Sequence, residues 1–185
     1  MQASANRQPN HTSLQADRGF SLIELLIVVA IILIIAAIAI PNMLRSKLAA
    51  DQASAVANLR TISTASVSYW VIFSNGYPAT LAVLGGTGPA ATCNQAILID
   101  EVIAAAPSQK SGYQFSYTGD QGNVTTVPPG CTPGFVGYLA TAAPLVVGLT
   151  GDISYCTNEP GVIHFDTTGA VAASAATCNL LPTIQ

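Results

Sequence analysis

Arg18-Gly19-Phe20-Ser21-Leu22-Ile23-Glu24, followed by the apolar run Leu25 to Ile40, decides how this chain is organised. From Phe20 to Ile40 the only polar residues are Ser21 and Glu24. As a helix rising about 1.5 Å per residue, the stretch spans roughly 30 Å, the thickness of a bilayer's hydrocarbon core. A removable secretory signal has a shorter apolar region of about 7–15 residues and a small-residue cleavage site behind it. Here Pro41-Asn42-Met43-Leu44-Arg45 follows instead, so the run is expected to stay with the protein. An ordinary membrane anchor leaves Glu24 unexplained. A carboxylate in such a segment costs on the order of 3 kcal/mol on insertion scales and normally has a partner. Snorkelling at the membrane edge is the bland alternative. The sharper one pairs Glu24 with a positive group on a neighbouring chain, inside a low-dielectric assembly.

Gly19-Phe20-Ser21-Leu22-Ile23-Glu24 and the unbroken apolar stretch behind it resemble the cleavage and N-methylation segment of type IV prepilins and type II secretion pseudopilins. The resemblance implies that a membrane-bound prepilin peptidase cuts after Gly19 on the cytoplasmic side and methylates the new amino terminus at Phe20. It gives Glu24 a partner, the terminal ammonium of an adjacent subunit. It also makes the protein a substrate of processing, not an enzyme. The specific match covers about Arg18 to Pro41; beyond that the likeness is architectural.

Composition narrows the remaining classes. The 185 residues suit one modest domain carried on an anchor. Hydrophobic residues make up 50% of the chain, and no second uninterrupted run is long enough to cross a bilayer. Charge is sparse, with 6 Lys and Arg against 9 Asp and Glu. That balance lacks the basic footprint of a nucleic-acid binder, so no nucleic-acid partner is expected. The four cysteines, Cys93, Cys131, Cys156 and Cys178, form no C-x-x-C pair and have only His164 near them. That argues against zinc and for disulfides in an oxidising compartment. Three pairings are open. The preferred one joins Cys156 to Cys178, leaving Cys93 with Cys131, because the pilin fold resembled here often fixes its C-terminal loop with a disulfide.

The expected fold is α+β, the pilin fold: one long N-terminal helix, membrane-spanning in its first half, packed on a C-terminal antiparallel sheet. Residues 1–19 read as a polar leader kept in the cytoplasm by Arg7 and Arg18, long for the commonest pilins. Asn10-His11-Thr12 fits a glycosylation pattern but lies in this leader and is set aside. Residues 20–40 form the membrane and filament-core half of the helix, and 41–74 its amphipathic half. Pro41 is expected to loosen the helix by freeing the Ala37 carbonyl. In the families resembled, a proline here accompanies unwinding within the filament, and the same is implied for the stretch before Pro41. Leu44, Leu48, Ala55, Leu59, Ile62 and Phe73 recur at helical spacing and should face the sheet. Tyr69, Trp70 and Phe73 should seal the core, and Gly76-Tyr77-Pro78 should stop the helix.

Residues 75–111 read as a connecting loop, with a short helix over Ala96 to Ile103. Residues 112–185 read as the sheet. Its strands are expected at Gly112–Tyr117, Phe135–Ala142 and Ile153–Cys156, followed by a hairpin of Val162–Asp166 with Ala170–Ala172. A Cys156–Cys178 bridge would enclose that hairpin.

No residue set points to catalysis. His164 has no nucleophile elbow and no second histidine in the domain. Leu84-Gly85-Gly86-Thr87-Gly88 lacks the lysine of a phosphate loop. Asp100 and Glu101, as neighbours on a helix, face different directions. The scattered Asp120, Asp152, Glu159 and Asp166 supply no compact calcium loop. No cofactor or metal is expected. The function implied is a structural subunit of a type IV pilus, a homo-oligomeric helical filament. Its subunits wait in the bacterial inner membrane as single-pass proteins before assembly by an ATPase and a platform protein. The alternative is a periplasmic pseudopilin of type II secretion. A third possibility, a binding or catalytic domain on an ordinary anchor, requires an uncut chain indifferent to loss of Glu24.

Overall fold

The computed structural model describes residues 19–184, so the expectations for residues 1–18 lie outside the described residues. Helix α1 runs from Leu22 to Phe73, 52 residues with Pro41 inside it. The helix continues through Pro41, and the Asn42 side-chain amide donates to the Ile38 carbonyl at 3.1 Å. That bond falls one turn back, beside the carbonyl that the missing proline N–H would have served. The expected loosening at Pro41 is therefore not a break in the helix. Among the described residues, the chain divides into two compact units between Asn42 and Met43.

In the second unit, α1 buries Ala55, Leu59, Ile62, Ser63, Ala65, Ser66 and Tyr69. These fall on one face by the 3.6-residue period. Two expectations shift. Leu44 is exposed, and the buried face takes in small residues, Ser63, Ala65 and Ser66, that hydropathy alone passes over. Tyr69 is buried and packs at a tilt against half-buried Phe73, with ring centroids 5.1 Å apart. Trp70 lies half-exposed at the rim, edge-on to Tyr77 at 4.7 Å, instead of sealing the core. Ser74, in the left-handed region at φ 53°, ends the helix. Gly76 follows at φ 84°, and a Cβ there would lie 2.7 Å from the Phe135 carbonyl, so only glycine fits.

The sheet is a five-stranded antiparallel meander in chain order. Its strands are β1 (Gln109–Lys110), β2 (Tyr113–Asn123), β3 (Phe135–Pro144), β4 (Ser154–Thr157) and β5 (His164–Asp166). Along β2, Tyr113, Phe115 and Tyr117 point inward while Gln114, Ser116 and Thr118 point out, the alternation of a half-buried strand. The central strand β3 is buried on both faces from Gly137 to Ala142. One face joins the main core against α1, and the other packs Leu139 with Cys156 and Cys178.

The connection carries α2 (Leu81–Leu84) and α3 (Glu101–Ala104). A helix was expected over Ala96 to Ile103, but only its last part forms. Ala96 and Leu98 donate instead to the Val83 and Leu84 carbonyls, at 2.8 and 2.7 Å. Helix α3 begins only where Asp100 caps it, accepting from the Val102 amide at 2.9 Å. The expected hairpin with Ala170–Ala172 does not form either. Asp166 accepts from the Thr168 amide and hydroxyl at 2.7 and 2.6 Å, turning the chain away into α4 (Ala175–Cys178). The free edge of β5 is taken by the C-terminal segment: Phe165 donates to the Pro182 carbonyl and Ile184 to that of Ile163.

All six tyrosines, Tyr69, Tyr77, Tyr113, Tyr117, Tyr138 and Tyr155, lie in this core. Their hydroxyls are tied in where geometry allows: Tyr113 donates to the Ile153 carbonyl at 2.8 Å, and Tyr138 shares a 2.9 Å bond with Ser63. Burial disfavours the phenolate and raises these pKa values; that of Tyr138 is pushed up to about 12, and Tyr113 and Tyr117 also move upward. An unfolded tyrosine loses its proton near pH 10. A raised folded pKa is therefore stability that is complete below about pH 10 and lost as pH rises towards 12 and beyond. We expect the full-length protein in detergent to unfold cooperatively in that alkaline window, with tyrosinate absorbance and loss of sheet circular dichroism rising together. Tyrosinate forming with the sheet intact would contradict the burial argument.

Candidate processing and assembly segment

Gly19 and Phe20 precede α1 in non-helical backbone, and Phe20 is 81% exposed. A Cβ built on Gly19 meets nothing within 4 Å. Nothing among the described residues therefore demands glycine at this position.

Glu24 sits in the first turn of α1 and accepts a hydrogen bond from the Ser21 backbone amide at 3.0 Å. With Leu22 as the first helical residue, Ser21 is the N-cap and Glu24 the third residue in. This is the carboxylate half of a capping box, satisfying a donor that would otherwise be orphaned at the helix start. The negative charge also suits the positive end of the helix dipole. Sequence reading missed this role, although Ser21-x-x-Glu24 before an apolar run is its signature.

Behind Glu24 the helix is bare. Leu25 through Ile40 expose their large apolar side chains, from 46% at Val29 to 67% at Ile38. By length and composition α1 can cross a membrane. Within the described chain, nothing covers this segment.

The four cysteines singled out in the sequence are all paired. Cys93 is joined to Cys131 and Cys156 to Cys178, closing spans of 38 and 22 residues. In the chain-entropy account each closure stabilises by about 3–4 kcal/mol. The first bridge pins the connecting loop to the β2–β3 turn beside Asn75, which donates to the Tyr69 hydroxyl at 2.8 Å and to the Thr132 carbonyl at 3.2 Å. Tyr69 in turn donates to the Cys93 carbonyl at 2.5 Å. His164 is buried with Nδ1 2.7 Å from the Leu181 carbonyl. Asp100 pairs with Lys110 at 2.9 Å; its carboxyl is held below the usual range, first by the Val102 amide and then by Lys110. The Gly86 amide, in the glycine-rich loop, donates to Glu101 at 3.1 Å. Among the described residues no His, Cys, Asp and Glu side chains gather into a metal-binding group.

Comparison with known proteins singles out the same segment. Residues 14–40 match the family model described as the prokaryotic N-terminal methylation motif. The chain is 52% identical over 54 residues to the type IV major pilin protein PilA of Myxococcus xanthus, covering 29% of this chain and 24% of that protein. It is 32% identical over 64 residues to the type II secretion system core protein G of Pectobacterium carotovorum subsp. carotovorum, covering 35% of this chain and 40% of the relative. The chain thus spans well under half the length of either relative. No solved structure matches. The amino-terminal segment thus matches the prokaryotic N-terminal methylation motif, and the chain resembles both type IV pilins and type II secretion pseudopilins.

The capping geometry separates two roles of one side chain. In detergent-solubilised protein, Glu24→Ala should leave the Ser21 amide unprotected and speed its hydrogen exchange several-fold. Glu24→Gln, which retains an acceptor oxygen, should keep most of the protection. Equal exchange in all three proteins would show that Glu24 does not cap the helix.

Proposed function

We propose that this chain is the structural subunit of a type IV pilus. In this reading it is cut by prepilin peptidase after Gly19, methylated at Phe20, and assembled from the inner membrane into a helical filament through α1. The observation that carries the reading is the match to the methylation motif leading directly into an apolar helix that the described residues leave bare. Lipid covers that helix before assembly, and the same segment of other subunits covers it afterwards. The open surroundings of Gly19 fit a glycine required by a peptidase active site rather than by folding. Release of the terminal ammonium at Phe20 creates the positive group that Glu24 lacks, and in the filament the carboxylate exchanges its cap for the ammonium of an adjacent subunit. Such a pair gains strength in a dry core, where leaving either charge alone is costly. The stretch before Pro41 is the part of α1 whose helical bonds are weakest by covalent chemistry, and it is where unwinding in the filament would occur.

The protein has no enzymic role in this reading. Its partners are further copies of itself, the peptidase, the inner membrane before assembly and, indirectly, the assembly ATPase and platform protein. The higher identity to the pilin and the disulfide-bounded C-terminal segment favour the pilus. The second reading, a pseudopilin of a type II secretion system, is supported by the similarity to core protein G over 35% of the chain.

Mass spectrometry and electron microscopy of material sheared from the producing cells test the choice. A mature chain beginning at N-methylated Phe20, in long surface filaments, is expected. Processed protein confined to the envelope would favour the pseudopilin, and an uncut chain would exclude both. Glu24→Ala and Glu24→Gln should each be processed normally yet lower filament yield more than tenfold. Normal yield from Glu24→Gln would mean that the cap, and not the charge, is what assembly needs.

A further inference from the structure

The β3–β4 connection carries Leu145, Val146, Val147 and Leu149, four large apolar side chains that are 43–62% exposed. Consecutive exposed apolar residues on a short loop form a patch that soluble surfaces avoid unless it meets a partner. The loop is held rigidly. Thr150 and Leu149 donate backbone bonds to the Val146 carbonyl at 2.9 and 3.1 Å, Gly148 donates to Gly151 at 3.0 Å, and the Val146 amide donates to the Thr150 hydroxyl at 3.1 Å. Its apolar tip is therefore presented in one conformation, and little ordering remains to be done on binding.

The same unit carries an open apolar groove of about 620 Å³ between α1 and the β4–β5 edge. Ala53, Val56 and Ala57 line it from the helix, and Tyr155 and Phe165 from the sheet. Arg60 is the charged residue on its wall and makes no ion pair among the described residues. The loop ends in exposed Asp152, a carboxylate likewise outside any ion pair among the described residues. Knob and groove thus match in polarity, and each brings one charge of opposite sign.

We propose that the Leu145–Asp152 loop of one copy docks into the α1/β4–β5 groove of a second copy, with Val147 and Leu149 entering the groove and Asp152 meeting Arg60. The two surfaces are different patches of one molecule, so the contact is heterologous. A heterologous contact that does not close into a ring propagates as an open helix. The inference rests on the filament reading. It adds to the α1 contacts a second, domain-borne contact that sets the register between neighbouring subunits.

The test uses sheared filaments of the full-length chain carrying Ala53→Cys together with Val147→Cys. Every native cysteine is in a disulfide, so only the engineered thiols react with a short bis-maleimide. A covalent ladder of dimer, trimer and higher species is expected from the double variant and from neither single one. Filaments that form but give no ladder, or that yield only adducts of Val147→Cys with lipid or another protein, would overturn the docking while leaving the pilus reading in place. A dimer without higher species would also overturn it, since that marks a closed, isologous contact. A parent chain that assembles no filament takes down both readings together. The charge contact has its own readout. Arg60→Asp and Asp152→Arg should each lower filament yield at least fivefold, with disulfides and circular dichroism unchanged, and the exchanged pair should restore yield to within twofold. A double variant no better than the singles, in filaments that also give no ladder, would overturn the proposal.

Discussion

The constraint on which everything else depends is an apolar helix that the described residues of its own chain do not cover. Phe20 to Ile40 presents large aliphatic side chains that water rejects at about 25 cal/mol per Å² of exposed apolar surface, and the described chain buries none of them. Such a segment is stable only in lipid or against other apolar helices. Two environments in succession, first the bilayer and then an assembly, are what a subunit drawn out of a membrane into a filament encounters. The aliphatic side chains suit both, since neither environment asks them for a hydrogen bond. The backbone satisfies its own donors and acceptors within the helix, as any membrane-spanning segment must.

Against that background Glu24 has one partner in the single chain and, in the proposed filament, a second. In the single chain its carboxylate closes the start of α1 by accepting from the Ser21 amide, which lowers the cost of holding a charge beside an apolar run. In the proposed filament, a neighbour's Phe20 ammonium would add to the hydrogen bond a charge–charge attraction that a backbone amide lacks, and a dry core screens that attraction little. In that proposal the cap is a holding position, given up when the neighbour's ammonium arrives.

The domain carried on the helix is stabilised by ordinary means, arranged around a small core. Six buried tyrosines supply bulk; the hydroxyls of Tyr69 and Tyr113 donate to the Cys93 and Ile153 carbonyls, and that of Tyr138 bonds the Ser63 hydroxyl. Two disulfides fasten the two long irregular segments, the connection after α1 and the C-terminal stretch after β4, which have too little regular backbone pairing to hold themselves. Between these fastened regions, the β3–β4 loop and the α1/β4–β5 groove remain apolar and open.

The amino-acid sequence by itself determined the class of the molecule. One uninterrupted apolar run with a single carboxylate four residues after Phe20 can be read without coordinates, because membrane-spanning length and charge position are properties of the linear chain. The α+β order and the alternation in β2 were legible for a similar reason: local periodicity reports which face a residue shows. Tertiary structure decided what local pattern cannot contain. Small residues such as Ser63 and Ser66 enter the core because the helix meets the sheet there, not because they are hydrophobic. Ala96 to Ile99 forgo a helix because α2 offers their amides better-placed carbonyls. Ala170 to Ala172 leave the sheet because an Asp166 turn and the Cys156–Cys178 bridge divert the chain, and Pro182 to Ile184 occupy the edge of β5 instead. Choosing one of three cysteine pairings likewise required knowing which Cα atoms lie within bridging distance, 5.6 and 6.0 Å for the two bonds formed. Each of these outcomes is a competition between partners distant in sequence, and only the folded chain brings the competitors together.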